Sequence, residues 1–387
     1  MGFEILTSLG AWGWGILYAI LAFLFVLTVV VFFHELGHFL VARWYGVRVL
    51  VFSIGFGPEL FGFNDRHGTR WKVSAIPLGG YVKFFGDENA ASVPDQAAAA
   101  AMTEAERKIS FVHQKVGPRA AIVVAGPLAN FILAIVIFAV AAMIYGRPSM
   151  VPRVDSVVPN SAAATAGFEP GDIVVTIDGR AIRSFMDMQR IVSVSAGDML
   201  TIVVDRGGKQ VTLTATPTLQ EQTDRFGNTH RLGQLGIKGV AAIDEARFER
   251  VGFLTAVGLG FTETWALVEQ TMSYIWRIFA GRASADQLGG PIMIAQMSGQ
   301  VASVSFSLLV QFVAMISVSI GLLNLFPVPL LDGGHLLFYG IEAVRGRPLS
   351  ERAQEYGFRI GMALVLMLMV FATYNDVGRL ASLWSKS

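Results

Sequence analysis

The sequence predicts a polytopic α-helical membrane protein of about four transmembrane helices, with an α+β domain inserted on the extracytoplasmic side. Three observations carry this reading. The 387 residues are 53% hydrophobic and only 15% charged, with a clearly positive mean hydropathy, which suits a membrane protein that also carries soluble mass. Four apolar runs are long enough to cross ~30 Å of hydrocarbon. Between the second and third runs lies a long, more polar stretch in which alternating strands are punctuated by Gly and Pro. The formal net charge of +1, with no basic run, argues against nucleic acid as a partner. Cysteine is absent, so disulfides and thiolate metal sites are excluded, and any metal must rest on His, Asp or Glu.

The first span runs from Trp14 to Phe33 without a charge and continues as helix to about Tyr45. It lacks a basic n-region and a small-residue cleavage site, so it reads as a retained helix and not a removed leader. The second covers Ala120 to Tyr145, the third roughly Val301 to Phe326, and the fourth about Tyr356 to Tyr374. Ten Lys or Arg lie between Arg43 and Arg119, and Arg345, Arg347, Arg352 and Arg359 lie between the last two spans. The positive-inside rule then places both of these loops in the cytoplasm and both termini outside, with the long segment between spans two and three external. In the first loop, Val51 to Pro58 and Trp71 to Phe84 read as short strands broken by glycine and proline, with a turn at Asn64 to Gly68. Ala90 to Ala105 is alanine-rich and reads as loose or marginally helical.

The external segment gives strand (Val154 to Val158), short helix, a Gly-Asp turn and a strand ending at Asp178-Gly179. A helix (Ser184 to Val194) and two alternating strands (Leu200 to Asp205, Gln210 to Thr216) follow. This order, with its Ala166-Gly167-Phe168-Glu169-Pro170-Gly171-Asp172-Ile173-Val174 core, resembles a PDZ domain, a module that takes an extended peptide or chain terminus as an added strand. Phe248 to Arg282 mixes aromatic and aliphatic residues with charges and reads as an amphipathic helix or helix pair on the outer membrane surface, with a fifth span as the competing reading. The expected organisation is 1–146 membrane region with the cytoplasmic loop, 150–220 PDZ-like domain, 245–285 surface helical segment and 300–387 C-terminal membrane region.

The chemistry is written in His34-Glu35-Leu36-Gly37-His38, at the end of the first span. On a helix His34 and His38 stand one turn apart on one face, so both imidazoles reach one ion, and the Glu35 carboxylate beside them is placed to take a proton from an attacking water. Ionisable groups at membrane depth are costly unless they bind something. Catalytic zinc usually takes three protein ligands. Of the remaining candidates, His67 and His113 lie in the polar cytoplasmic loop, His230 in the external domain region, and His335 stands beside Asp332. Asp332 is favoured because the first and third spans both run inward and end near the cytoplasmic side; a helix cap at the membrane edge is the alternative. Pro327 and Pro329 break the helix before it, a feature tolerated in membranes where backbone lines a cavity or is packed in protein.

At these residues the chain resembles the site-2 protease family of intramembrane zinc metalloproteases, and most closely its bacterial regulator-of-sigma-E protease branch. The likeness covers nearly the whole chain: the His34 to His38 helix, Phe52 to Gly57, Pro77 to Lys83, Gly117 to Ala120, Ala125 to Phe131 and Leu331-Asp332-Gly333. One PDZ-like unit is present where some members carry two. The resemblance implies a zinc metalloendopeptidase of the bacterial inner membrane, with Zn2+ on His34, His38 and Asp332 and Glu35 as general base. Asn324 is expected as a second donor to the oxyanion or substrate backbone, or else as a polar packing contact. Asn130 is expected to orient a ligand or to bridge spans. A membrane-associated β-loop is implied at Gly79, Gly80, Tyr81 and Val82, whose edge could hold an unwound substrate. Implied partners are membrane lipid and single-span membrane proteins already trimmed outside, such as an anti-sigma factor or a signal-peptide remnant. The PDZ-like unit, on the periplasmic side, would act as a size filter in regulated intramembrane proteolysis. Two other classes compete: a membrane zinc transporter, for which Glu35 between the ligands has no use, and a non-catalytic PDZ scaffold, for which an intact motif has none.

Overall fold

The computed structural model describes residues 2–87, 101–149, 152–182, 184–223, 229–238, 247–282, 284–285 and 289–384. The chain divides into two units, 1–139 with 257–387, and 140–256. Among the described residues, four helices are long and apolar enough to cross a membrane: 15–44, 116–145, 306–324 and 352–379.

In the first unit, α1 (Gly2–Trp44) runs unbroken through the His-Glu-Leu-Gly-His motif. Strands β1 (Val49–Asn64) and β2 (Arg70–Phe84) follow, joined by a turn in which Asp65 Oδ1 accepts the amides of His67 and Thr69 at 2.8 and 2.9 Å. Here the expectation of short broken strands is corrected: each strand is long, and it folds on itself through register shifts. Val51 pairs with both Lys83 and Arg70, and Phe61 pairs with Val73, so two strands make a four-stranded mixed sheet in the order 80–84, 49–54, 70–74, 59–64, with the outer pairs antiparallel and 49–54 running parallel to 70–74. Glycine bends the strands without ending them. At Gly55 (φ 87°) a methyl group would sit 2.7 Å from the Ile76 carbonyl oxygen, so only glycine permits that close approach. The expected Ala90 to Ala105 segment lies mostly outside the described residues. From there α2 (Glu104–Ile109) is set by a Thr103/Glu106 capping box, and α3 (Val116–Tyr145) forms the second span.

In the same unit the third span is split, which the apolar run alone does not disclose. Ser305 is extended (φ −166°, ψ 150°) and its Oγ accepts the Leu308 amide, capping α8 (Phe306–Asn324) and separating it from α7 (Pro291–Val304). Ser-Val-Ser-Phe-Ser carries no proline or glycine, so the break rests on the cap. The expected surface segment is one helix, α6 (Phe253–Phe279). Its Gly260 packs on the Ile135 carbonyl and Ala139 of α3, and Leu267 and Val268 join Phe131, Phe138, Ala314 and Val318 in one apolar cluster. Phe261, Trp265 and Trp276 on its other face are exposed. After a turn come α9 (Asp332–Arg345) and α10 (Glu351–Trp384), which is longer at both ends than the Tyr356 to Tyr374 expectation. The buried carboxylate of Asp376 on α10 serves the start of α7. It accepts the amides of Gly290, Ile292 and Met293 at 3.0, 3.1 and 3.0 Å, satisfying the orphan donors of that helix end.

After β3 (Arg147–Ser149) and β4 (Ser156–Val157), the second unit builds a four-stranded antiparallel sheet, β6-β5-β7-β8, from β5 (Ile173–Ile177), β6 (Arg180–Ala181), β7 (Leu200–Arg206) and β8 (Lys209–Ala215). The helices α4 (Ala162–Ala166) and α5 (Phe185–Val194) complete it, over a core in which Val154, Val174, Ile177, Ile202 and Val204 are fully buried. Residue 220, the expected limit, falls inside β9 (Thr218–Thr223). Leu235 joins the core and Ile237 pairs with Val157, carrying the unit on to Lys238. Asp172 ties the module together. Its carboxylate takes the Arg206 guanidinium in a fork (2.7 and 2.8 Å) and the Glu169 amide at 2.9 Å. Burial alone would raise this carboxyl, but the Arg206 fork and the Glu169 amide outweigh it and hold its pKa below the ordinary value. A group depressed in the folded state contributes stability above its unfolded pKa of ~3.9 and loses it as pH falls through the folded value. Asp172→Asn is therefore expected to weaken this unit by about 2 kcal/mol at neutral pH and to narrow the difference from wild type below pH ~4. Hydrogen exchange of β5 and β7 in the full chain reads this out, and equal protection in the two proteins at pH 7 would refute it.

Candidate metal centre

The site is assembled where α1, α3 and the turn between α8 and α9 meet. Both histidines are buried, at 9% and 8% exposure, on the face of α1 turned to α3. That contact is unusually close because glycine stands on each side of it. A methyl group at Gly37 would sit 2.2 Å from the Ala125 carbonyl oxygen, and one at Gly126 would sit 2.3 Å from His38 Nε2. The approach lets His38 Nδ1 donate to the Ile122 carbonyl at 2.9 Å, which leaves Nε2 free to bind metal. The side chain of Asn130, fully buried on α3, lies against His34 Nδ1 at 3.2 Å.

The third group arrives from the other side. Past Asn324, at the end of α8, the chain turns through Pro327 and Pro329, with Leu330 at φ 100°, and Asp332 opens α9. The turn is clamped by glycines that admit no Cβ: Gly333 against the Phe326 carbonyl (2.2 Å) and Gly334 against the Val328 carbonyl (2.4 Å). At the far end of α9, Glu342 pairs with Arg119 of α3 at 2.5 Å, and the Arg119 guanidinium lies 4.8 Å from the centre of the Tyr339 ring. The helix that begins with Asp332 is thus tied to the helix that orients the histidines.

The convergence has the dimensions of a metal site. His34 Nε2 lies 3.3 Å from His38 Nε2 and 3.2 Å from Asp332 Oδ2, and His38 Nε2 lies 3.6 Å from Asp332 Oδ1. Ligands about 2.05 Å from a tetrahedral zinc are separated from one another by ~3.3 Å. The Asp332 Oδ2 is buried without a hydrogen-bond partner, the mark of a group made to serve an ion. Burial would raise this carboxyl, but the adjacent His38 and His34 rings outweigh it and hold it well below the usual carboxylate range, so it is an anion. Among the described residues, His34, His38 and Asp332 form the cluster of metal-ligating side chains, two nitrogens and one oxygen.

Glu35 is half-buried beside the cluster, and the Val82 backbone amide reaches its carboxylate. Gly80 is packed so tightly on Val31 and Glu35 that a methyl there would lie 2.7 and 3.2 Å from them. Residues 80–84 therefore form the sheet edge next to Glu35. Tyr81 stacks on Phe56 with ring centres 5.9 Å apart, and Gly79 (φ 128°) faces the Phe56 ring. Asn324 Nδ2 lies 3.5 Å from His34 Nε2, at the open margin of the cluster. His335 is not brought in; its ring packs on Phe358 and Tyr339. Sequence reasoning missed the Ile122 carbonyl, because a backbone acceptor has no residue identity. The closeness at Gly126 had a signal, a Gly-Pro pair inside an apolar span.

Known proteins share this chain's sequence along most of its length. A family model described as Peptidase family M50 matches residues 22–368. A protein of Rhizobium meliloti (strain 1021) that carries a zinc metalloprotease name is 53% identical over 360 residues, covering 93% of this chain and 96% of the relative. The metalloprotease MmpA of Caulobacter vibrioides is 43% identical over 387 residues, covering 94% and 96%. The PDZ domain of an SdrC-like protein of Listeria monocytogenes aligns with 24% of this chain and 88% of that domain, at 26% identity and a TM-score of 0.19.

Proposed function

The chain belongs to peptidase family M50, and from that premise we propose that it is a zinc metalloprotease cutting peptide bonds in or near the transmembrane segments of single-span membrane proteins. One observation carries the proposal: three metal-ligating side chains lie within reach of one ion, two of them on a helix apolar enough to span a bilayer, with a carboxylate and a strand edge beside them. His34, His38 and Asp332 would hold the ion. Zinc, when bound, supplies a Lewis acid that polarises the scissile carbonyl and eases ionisation of the attacking water.

The rest is the work of this chain's own groups. Glu35 takes the proton of the attacking water and returns it to the leaving amine. Asn324 donates from its amide to the developing oxyanion, or to the carbonyl that precedes it. A helical substrate must first unwind, because its carbonyls are already hydrogen-bonded. The edge of residues 80–84 holds the unwound segment by strand addition, with Gly79, Gly80, Tyr81 and Val82 alongside the scissile bond. The excess of Lys and Arg in two loops supports a site near the cytoplasmic side of a bacterial inner membrane, with the termini and the PDZ-like unit periplasmic. A cleft of ≈ 270 Å³ between α5 and residues 232–238, lined by Val158, Met188, Val192 and Ile237, suits a peptide or chain terminus in that unit. Substrates of the anti-sigma or signal-peptide-remnant kind fit this layout, cut after external trimming in regulated intramembrane proteolysis.

The test is cleavage of a model single-span substrate by the full chain in detergent. Cleavage is expected, lost on chelation and restored by stoichiometric zinc. Zinc flux in proteoliposomes with no peptide product would overturn the reading in favour of transport.

A further inference from the structure

Asn130 shows a contradiction as its amide stands. Its Nδ2 faces His34 Nδ1 at 3.2 Å, while its Oδ1 is buried with no hydrogen-bond partner. His34 Nε2 is the atom turned to His38 Nε2 and Asp332. A neutral imidazole that offers its lone pair at Nε2 carries its proton on Nδ1, so Nδ1–H would point at an NH2 group, donor against donor. Exchanging the nearly isosteric oxygen and nitrogen of the amide removes the conflict. The oxygen then accepts Nδ1–H, and no oxygen is left where it meets no donor.

We propose that Asn130 is a positioning residue whose side-chain oxygen fixes the tautomer and ring plane of His34, so that Nε2 is presented to the metal; this rests on the zinc reading above. The arrangement repeats at the other histidine, where the Ile122 carbonyl takes His38 Nδ1–H at 2.9 Å. Both oxygens come from α3, about two turns apart on one face, and so read out the α1–α3 distance at both ligands. Asn130 is itself held in place. Ser317 Oγ on α8 donates to its backbone carbonyl at 3.0 Å, and a methyl at Gly321 would lie 3.1 Å from its Cβ. Neither group leaves the side chain room to drift, which is what orienting a ligand requires.

Two substitutions separate this role from packing. Asn130→Leu keeps the shape and loses the acceptor; Asn130→Asp keeps acceptors and loses the donor. Zinc affinity of the full chain in detergent is measured by chelator competition. The Leu variant is expected to bind zinc 10–100-fold more weakly, while the Asp variant stays within a few-fold of wild type. Zinc-free melting temperatures, expected to agree among the three, separate a local effect from a folding defect. Equal loss in both variants, or wild-type affinity in Asn130→Leu, would overturn the assignment. If the Leu variant does not fold, the Asp variant decides alone: affinity kept supports the role and affinity lost removes it. Wild type without stoichiometric zinc would sink the zinc reading and this assignment together, a result distinguishable from failure of the assignment alone.

Discussion

Glu35→Gln is expected to lower peptide cleavage by at least about 10³-fold while leaving one zinc bound per chain. A positioned general base typically contributes 10²–10⁴-fold, and Gln keeps the shape while losing the ability to take a proton. The separation of the two readouts follows from the geometry. Glu35 contributes no atom to the His34–His38–Asp332 cluster, so the ligand set survives the change. Its side chain packs instead against Gly80, with the Val82 amide on its carboxylate, beside the strand edge proposed to hold the substrate. Single-turnover cleavage together with metal analysis of the purified variant makes the measurement. A variant that has lost its zinc would move Glu35 from base to structural support. A variant that cuts as wild type does would remove the base from the mechanism altogether.

Much of this site was legible because spacing and topology impose it. Two histidines one turn apart on a helix share one face, and the end of the third apolar run, where Asp332 was expected, comes to lie beside them. What was not legible is of another kind. The sheet of residues 49–84 pairs each strand twice, so that Val51 meets both Lys83 and Arg70, and a strand pattern read along the chain gives no sign of such a fold. The break at Ser305 depends on a hydroxyl capping the Leu308 amide, and serine inside an apolar run is equally at home in a continuous helix. The continuation of the second unit past residue 220 rests on strands such as Thr218–Thr223, whose Thr-Leu-Gln-Glu-Gln-Thr has one apolar residue to mark a buried face. Asp376, just past the expected end of the fourth span at Tyr374, gives no sign of its role in the sequence, because the three backbone amides that it accepts lie more than 80 residues away. In each case the missing information is a partner distant in sequence or a local bond that residue type does not reveal.

The glycines between α1 and α3 carry the second large expectation. Gly126→Ala is expected to cut zinc affinity by more than about 100-fold, although the substitution adds one methyl group and improves local helix propensity. That methyl would lie 2.3 Å from His38 Nε2, 2.4 Å from Cε1 and 2.9 Å from Cδ2, inside contact distance of three ring atoms. The ring cannot retreat, because its other nitrogen is held by the Ile122 carbonyl and the surrounding interior is close-packed. Either the imidazole turns away from the ion or the two helices separate, and separation also withdraws Asn130 from His34. Overpacking of this size costs about 1–3 kcal/mol on its own, and distortion of both histidines at once multiplies the effect on the metal. Gly117→Ala, on the same helix with nothing within 4 Å of the added methyl, is the control and should bind zinc as wild type does. Chelator competition on the two variants compares the effects directly. Normal affinity in Gly126→Ala would mean that the helices part without cost, and the close approach of α1 and α3 would then not be what sets the geometry of the metal centre.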